Sequence, residues 1–330
     1  MTDVTDRKII RVIQGDPSLM NLTWMTTNVC NNRCSYCTPS LHSGTGHHYK
    51  WENAKKFLEL LFERYPKIHC SVAGGEPSLC HFFPELVKIF NSSGNTIGAT
   101  SNAFKPIEYW EDISRYLYYI CFSYHPEFPA KDFKEKVIVS SLNTFVTVRI
   151  MMLPSKWDHC MEVFNSLKNI DTCLLEPVRI LDWGGKNREA HVYSKEQLDW
   201  FESEEATKPH RKNIYHLIEK KESVKVSSDF QFNDGSILQS YDVNPVEFIN
   251  FGMTNFKSYI CEIGLKSLFV NSSGKIFLGN CLVGGSIGKI DNFEDIKWPT
   301  KPVICNKNIC HCTTDVNISK WIKNYNEYIK

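Results

Sequence analysis

The sequence predicts an α/β protein built from consecutive parallel βα units, in a barrel or an open doubly wound sheet. Three observations predict it. Between residues 20 and 181, six apolar runs of strand length alternate with segments of helical periodicity. Strand runs end in loops rich in cysteine, glycine or small polar residues, as at "VCNNRCSYC", "GGEP" and "TSNA". Beyond about residue 186 the alternation gives way to hairpin patterns and a second group of cysteines.

Each element has its own signal. "MNLTWMTTNV" (20–29) reads as a strand that delivers its C-terminal end to the cysteine loop. "WENAKKFLELLFERY" (51–65) has apolar residues at 54, 57, 58, 61, 62 and 65, the spacing of one helix face. "IHCSVAGG" (68–75) is a second strand; "FFPELVKIF" (82–90) is a helix with Pro84 near its start, where a missing N–H costs little. The third strand is "TIGATS" (96–101). There follow "PIEYWEDISRYL" (helix), "YYICFSY" (strand), "KDFKEKVIVSSL" (helix), "TFVTVRIMML" (strand), "HCMEVFNSLKNI" (helix) and "CLLEPVRIL" (strand). In both architectures the active site lies at the C-terminal strand ends.

"SKEQLDWFE" carries Ser194 and Gln197 in capping-box spacing and reads as a helix. "KVSSDFQFNDGSILQSY" reads as a hairpin about Asp234 and Gly235, and "KSLFVNSSGKIFLGN" (266–280) as another turning between Ser272 and Gly274. The expected organisation is an N-terminal extension over 1–19, the βα units with linking helices over 20–240, and a small C-terminal domain over 241–330.

Composition narrows the function classes. A chain of 330 residues, 42% hydrophobic, buries a full core. With 38 Lys and Arg against 37 Asp and Glu, no overall field gathers nucleic acid or an anionic membrane. No signal-peptide pattern or membrane-span run is present, so a cytoplasmic protein is expected. Thirteen cysteines in such a setting point to metal or redox chemistry rather than disulfides. Cys70, Cys80, Cys121, Cys160 and Cys173 stand singly in or beside apolar segments and read as small core residues.

"VCNNRCSYC" (29–37) places Cys30, Cys34 and Cys37 at C-x3-C-x2-C with no nearby fourth thiol. Structural zinc usually takes four ligands, so the spacing suits a [4Fe–4S] cluster with one iron left open, a zinc site with a distant fourth ligand being the alternative. This motif, with Tyr36 before the third cysteine, and "GGEP" (74–77) at the next strand end resemble the radical S-adenosylmethionine superfamily. The resemblance covers about residues 20–185 and implies a partial (βα)6 TIM-like barrel. It implies that Cys30, Cys34 and Cys37 ligate three irons, catalytically, while S-adenosylmethionine chelates the fourth. It further implies that Gly74, Gly75, Glu76 and Pro77 hold the methionine end, that Tyr36 sets its backbone against the adenine, and that Ser101 and Asn102 contact the ribose. Reduction of the sulfonium would then give a 5′-deoxyadenosyl radical that abstracts hydrogen from an unactivated carbon, with a reductant such as flavodoxin or ferredoxin. Ser123, His125, Glu127, Arg149 and Arg179 are candidates to line the substrate space, and Ser123 and Arg149 to meet the cofactor; structural salt bridges account for such residues equally well.

Cys261 and Cys281 bracket the second hairpin, and Cys305, Cys310 and Cys312 follow in "CNKNICHC". This resembles the auxiliary-cluster domain of many radical enzymes, the SPASM domain or its short twitch form, and implies a second [4Fe–4S] cluster. Cys261, Cys281, Cys310 and Cys312 are the expected ligands, with Cys305 as a substitute; a zinc knuckle is the alternative. His311 is either a neighbour to these ligands or simply exposed. An auxiliary cluster would accept an electron in an oxidation; a thiol donating hydrogen, with Cys121 the candidate, would give epimerisation.

The leading expectation is a radical enzyme acting on a peptide or a small molecule. Only about twenty residues precede the first strand, so no separate peptide-recognition domain is expected there, which weakens the peptide reading without excluding it, since a partner protein can deliver the substrate. A non-catalytic iron–sulfur or zinc protein is the second expectation; near-zero net charge disfavours a nucleic-acid-modifying enzyme.

Overall fold

The computed structural model describes residues 7–42, 44, 49–180, 191–207, 228–240, 248–249 and 252–323. In chain order the strands are β1 (Ile9–Gln14), β2 (Leu19–Thr27), β3 (Lys67–Gly74), β4 (Thr96–Ser101), β5 (Tyr119–Tyr124), β6 (Phe145–Met151), β7 (Cys173–Val178), β8 (Ser228–Phe232), β9 (Ile237–Gln239), β10 (Ile260–Cys261), β11 (Ser267–Val270), β12 (Lys275–Phe277), β13 (Ser286–Lys289), β14 (Val303–Ile304) and β15 (Lys320–Trp321). The helices are α1 (Trp51–Arg64), α2 (Phe83–Ser92), α3 (Ile107–Ile113), α4 (Phe133–Ser141), α5 (Trp157–Leu167), α6 (Lys195–Phe201), α7 (Glu204–Thr207) and α8 (Thr313–Val316). Contacts divide the chain into two compact units. One is Met1–Met25, His48–Ser71 and Val224–Lys330; the other is Thr26–His47 and Val72–Ser223. The boundary expected at 240–241 borders residues 241–247, which lie outside the described residues.

In the second unit β4, β5, β6 and β7 pair in sequence order, all parallel, with Cys121 opposite Thr147 and Arg149 opposite Glu176. This is the parallel α/β sheet that the alternating pattern predicts. Along β6, buried Val146, Val148 and Ile150 alternate with half-buried Thr147 and Arg149, the period-two signature of a strand with one sealed face. Aromatic packing seals it: the Phe122 ring meets Trp110 of α3 edge-on at 5.0 Å, and Tyr124 meets Phe133 of α4 at 5.0 Å. The opposite face keeps its polar residues. The capping box of α6 is complete, with Ser194 and Gln197 each bonding the other's main chain.

The first unit holds a six-stranded sheet in the order β14-β10-β15-β1-β8-β9. Residues 9–14, read from sequence as part of an extension, form β1, which pairs antiparallel with β8 and with β15. Ile9, Val12, Phe230, Phe232, Phe256 and Val316 are among the residues of its core. The hairpins fall where expected, β8–β9 about Asp234 and Gly235 and β11–β12 about residues 271–275. Asn271 closes the latter by accepting from the main-chain N–H groups of Ser273 and Lys275. β11 pairs in parallel with β2, Ser267 opposite Asn21. α1 buries Ala54, Phe57, Leu58 and Leu61, four positions of the predicted apolar face.

Candidate active site

β2 ends at Thr27, and the cysteine loop begins three residues on. The loop folds on itself, Cys37 N–H donating to the Cys34 carbonyl at 3.0 Å and Asn32 N–H to the Cys30 sulfur at 3.4 Å. Cys30, Cys34 and Cys37 border one cavity of about 180 Å³. Burial raises the Cys30 thiol and pushes Cys34 up to about 12, so both stand protonated at neutral pH and release protons when they bind metal. All thirteen cysteines are free. Among the described residues, no three His, Cys, Asp or Glu side chains group closely enough to hold a single metal ion. The three soft donors instead flank a space, a donor set that fits an iron–sulfur cluster whose irons take one thiolate each.

The glycines of "GGEP" bring the end of β3 against this loop. Gly75 N–H donates to the Thr27 carbonyl and Glu76 N–H to the Val29 carbonyl, both at 2.8 Å. A Cβ on Gly74, whose φ is +128°, would lie 2.2 Å from the Thr27 oxygen, and one on Gly75 would lie 2.1 Å from the Val29 oxygen. The close approach these glycines permit is therefore to the chain leading into the cysteines. Pro77 is buried at the start of a short 3-10 turn whose first N–H groups include that of Ser78.

Glu76 is 1% exposed and shares its carboxylate among three donors. Ser78 N–H (3.0 Å) and the Ser101 hydroxyl (2.8 Å) reach Oε1, and Asn102 N–H (2.7 Å) reaches Oε2. Burial raises its pKa against those hydrogen bonds. Asn102 continues the chain: its side-chain amide donates to Asn31 Oδ1 at 2.9 Å and lies 3.7 Å from the Cys30 sulfur. Ala103 is held at φ +59°, a left-handed conformation uncommon for a residue with a Cβ. Ser101 Oγ accepts from its N–H and the buried Lys136 ammonium donates to its carbonyl at 3.0 Å. The strand-end loops of β3 and β4 and the cysteine loop thus form one hydrogen-bonded body.

The end of β5 grips the same loop from another side. The Tyr36 hydroxyl and His125 Nδ1 are 2.9 Å apart, with the rings stacked at 24°, and Glu127 Oε2 accepts from Ser35 N–H at 2.7 Å. Burial raises Tyr36 and holds His125 down at about 4, so the imidazole is neutral at physiological pH. His125 and Ser123 border the cavity, as do Gly74, Gly75, Glu76, Ser101 and Asn102. Glu127, nominated for the substrate space, bonds the cysteine loop instead. Arg149 is directed to Glu176, Nε to Oε2 at 2.8 Å, so the anion its guanidinium calls for comes from the neighbouring strand. Cys121 is buried nearby, its thiol raised by burial and lowered by Arg149.

In the first unit the C-terminal cysteines gather about two buried ionisable residues. Asp315 is 3% exposed and its carboxylate accepts from Cys281 N–H at 2.8 Å. Asn280 donates its side-chain amide to the Cys312 sulfur at 3.0 Å. Cys261 and Cys310 are buried, Cys281, Cys305 and Cys312 partly so. Sequence reasoning missed Asp315 and Lys320, and also the grip of Asn102 on Asn31. No periodicity marks them: Asp315 meets Cys281 and Asn102 meets Asn31 across distant segments, and Lys320 is buried by strands paired from far along the chain.

Residues 24–165 match the model of the Radical SAM superfamily. The native anSMEcpe structure with bound AdoMet and Kp18Cys peptide is similar at a TM-score of 0.51, with 16% identity over 83% of this chain and 78% of that one. The same protein with AdoMet and Cp18Cys peptide gives 0.50 at 15% identity, with the same coverage. Streptococcus suis SuiB bound to S-adenosylmethionine gives 0.48 at 11%, over 83% of this chain and 63% of that one. At such identities the anSMEcpe likeness speaks to the fold alone, a mixed α/β fold with the parallel sheet of a partial TIM-like barrel. No curated protein sequence matches the chain.

Proposed function

From the premise that residues 24–165 are a radical SAM domain, we propose that this chain uses a [4Fe–4S] cluster on Cys30, Cys34 and Cys37 to act on an unactivated C–H bond. When bound, the cluster and S-adenosylmethionine supply reductive cleavage of the sulfonium and a hydrogen-abstracting radical. The observation that carries the reading is the meeting of the three thiols with Glu76, Ser101 and Asn102 around one cavity.

The protein's own part is positional. Gly74 and Gly75 bring β3 against the loop, Glu76 and Asn102 fix the turn after β4, and His125 with Glu127 holds Tyr36 and Ser35. Ser101, Asn102 and Ser123 offer polar groups to a cofactor along the cavity. Arg149 is available there only by leaving Glu176. A peptide is the first substrate class to test, since the similarly folded anSMEcpe holds AdoMet and a peptide together. In this reading Cys261, Cys281, Cys310 and Cys312, with Cys305 in reserve, hold an auxiliary [4Fe–4S] cluster that assists oxidation or epimerisation. The enzyme works in the reducing cytoplasm with a flavodoxin- or ferredoxin-like donor; among the described residues no helix is long and apolar enough to cross a membrane.

The test is anaerobic: iron, sulfide and 5′-deoxyadenosine in wild type and in a Cys30→Ala, Cys34→Ala, Cys37→Ala variant. About eight irons in wild type and about four in the variant, with cleavage by wild type alone, support both clusters. Iron without 5′-deoxyadenosine under a strong reductant overturns the enzyme reading.

A further inference from the structure

Beside Cys261 lies a buried amine for which a set of neutral thiols gives no reason. Lys320 is 2% exposed and lies in β15, directly opposite Cys261 of β10 and Val12 of β1. Its three ammonium protons go to the carbonyls of Asp315 (2.7 Å), Val316 (2.8 Å) and Ile318, all in or just after α8, which Cys312 caps. The Phe256 ring lies 4.9 Å from the nitrogen. The acceptors are neutral dipoles, so the nest retains a positive field, and the pairing of β15 with β10 sets that field beside Cys261. Burying an ammonium costs several kcal/mol unless an anion answers it. Asp315 is the buried carboxylate of the same region, raised by burial and lowered by Lys320, and it accepts from Cys281 N–H rather than from the ammonium.

We propose that Lys320 is the charge-compensating residue of a metal–thiolate centre held by these cysteines, and that it raises the reduction potential of that centre. The inference rests on the reading of the cysteines as ligands of an auxiliary cluster. A cubane with four thiolates is an anion whose negative charge grows by one on reduction, so a fixed cation beside Cys261 stabilises the reduced form more than the oxidised one. Asp315 acts with opposite sign on the same centre. Lys320 is a positioning residue: its protons are all engaged by carbonyls, and it reaches the centre through its field.

The experiment uses the full chain with Cys30, Cys34 and Cys37 replaced by Ala, so that only the C-terminal nest is loaded, and follows a potential titration by absorbance and electron paramagnetic resonance. Lys320→Met is expected to lower the ratio of reduced to oxidised cluster at a fixed potential at least tenfold, about 59 mV for a one-electron couple. Asp315→Asn is expected to shift it the other way. Equal potentials in the loaded parent and the loaded Lys320→Met chain overturn the inference while leaving the cluster reading intact. Zinc, or no metal, in the parent overturns the cluster reading and the inference with it. Should Lys320→Met fail to load, Lys320→Arg and Asp315→Asn decide. A parent-like potential in the first with a positive shift in the second supports the inference, and no shift in Asp315→Asn overturns it.

Discussion

The carboxylate of Glu76 accepts from the main-chain N–H of Asn102 at 2.7 Å, joining the end of β3 to the end of β4 beside the cysteine loop. A glutamine there presents an NH2 group to at least one of the three donors that the carboxylate now satisfies. Glu76→Gln should cost about 2 kcal/mol of stability, the usual penalty for an orphaned buried donor. Denaturant titration of the iron-free chain measures it; a loss under ~0.5 kcal/mol would show that the turn does not depend on the carboxylate.

Gly75→Ala forces a methyl group to within 2.1 Å of the Val29 oxygen, a backbone atom that moves only with the cysteine loop. The variant should fold less stably by about 1–3 kcal/mol, as overpacked sites do, and lose most of its iron at the first site. Iron analysis with the C-terminal cysteines intact checks this. Full retention of iron would mean that the loop yields without losing its ligand geometry.

Glu127 holds Ser35 N–H from a partly solvated position, so its hydrogen bond contributes about 1 kcal/mol. Glu127→Ala should therefore speed iron release to a chelator by about fivefold. An unchanged release rate would place the restraint on the Tyr36–His125 contact alone.

Burial holds His69 and His125 at about 4, below the ordinary histidine value. The unfolded chain therefore takes up protons that the folded chain refuses, and stability falls as pH drops from about 6.5 toward 4. At pH 5 each ring contributes on the order of 2 kcal/mol of this loss. Glu76, raised by burial, works in the opposite sense. The check is the difference between wild type and His69→Gln from pH 7.5 to 5, in which the variant should lose about 2 kcal/mol less. Parallel curves would refute the assignment.

The strand ends of the second unit were legible in the sequence because apolar runs of period two stop there at residues of a different character, namely the loop after Thr27, Gly74, Ser101 and Tyr124. The grouping of Cys30, Cys34 and Cys37 around one cavity was legible from their spacing. Arg149's partner was not, since Glu176 becomes its neighbour only through the parallel register of β6 and β7. β10, β14 and β15 have two residues each, too few for any period to show. Lys320 sits in a strand of two residues, and its burial follows from pairing with Cys261 and Val12. "IIRVIQ" has strand character, but its partners Ser228–Phe232 and Lys320–Trp321 lie far along the chain, which left it looking like an extension.

That distance also sets the order in which the first unit can be made. On the ribosome, β1 emerges early, and Arg11 waits roughly three hundred residues for Trp321. At ~5–20 residues per second the apolar strand stays unpaired for tens of seconds. Until β8 follows it is a nascent-chain segment with two open edges, and one edge stays open until β15 is made, suited to chaperone binding and exposed to mispairing. Closure of this sheet therefore waits until β15 has been made, and Cys261 meets Lys320 only once it has occurred.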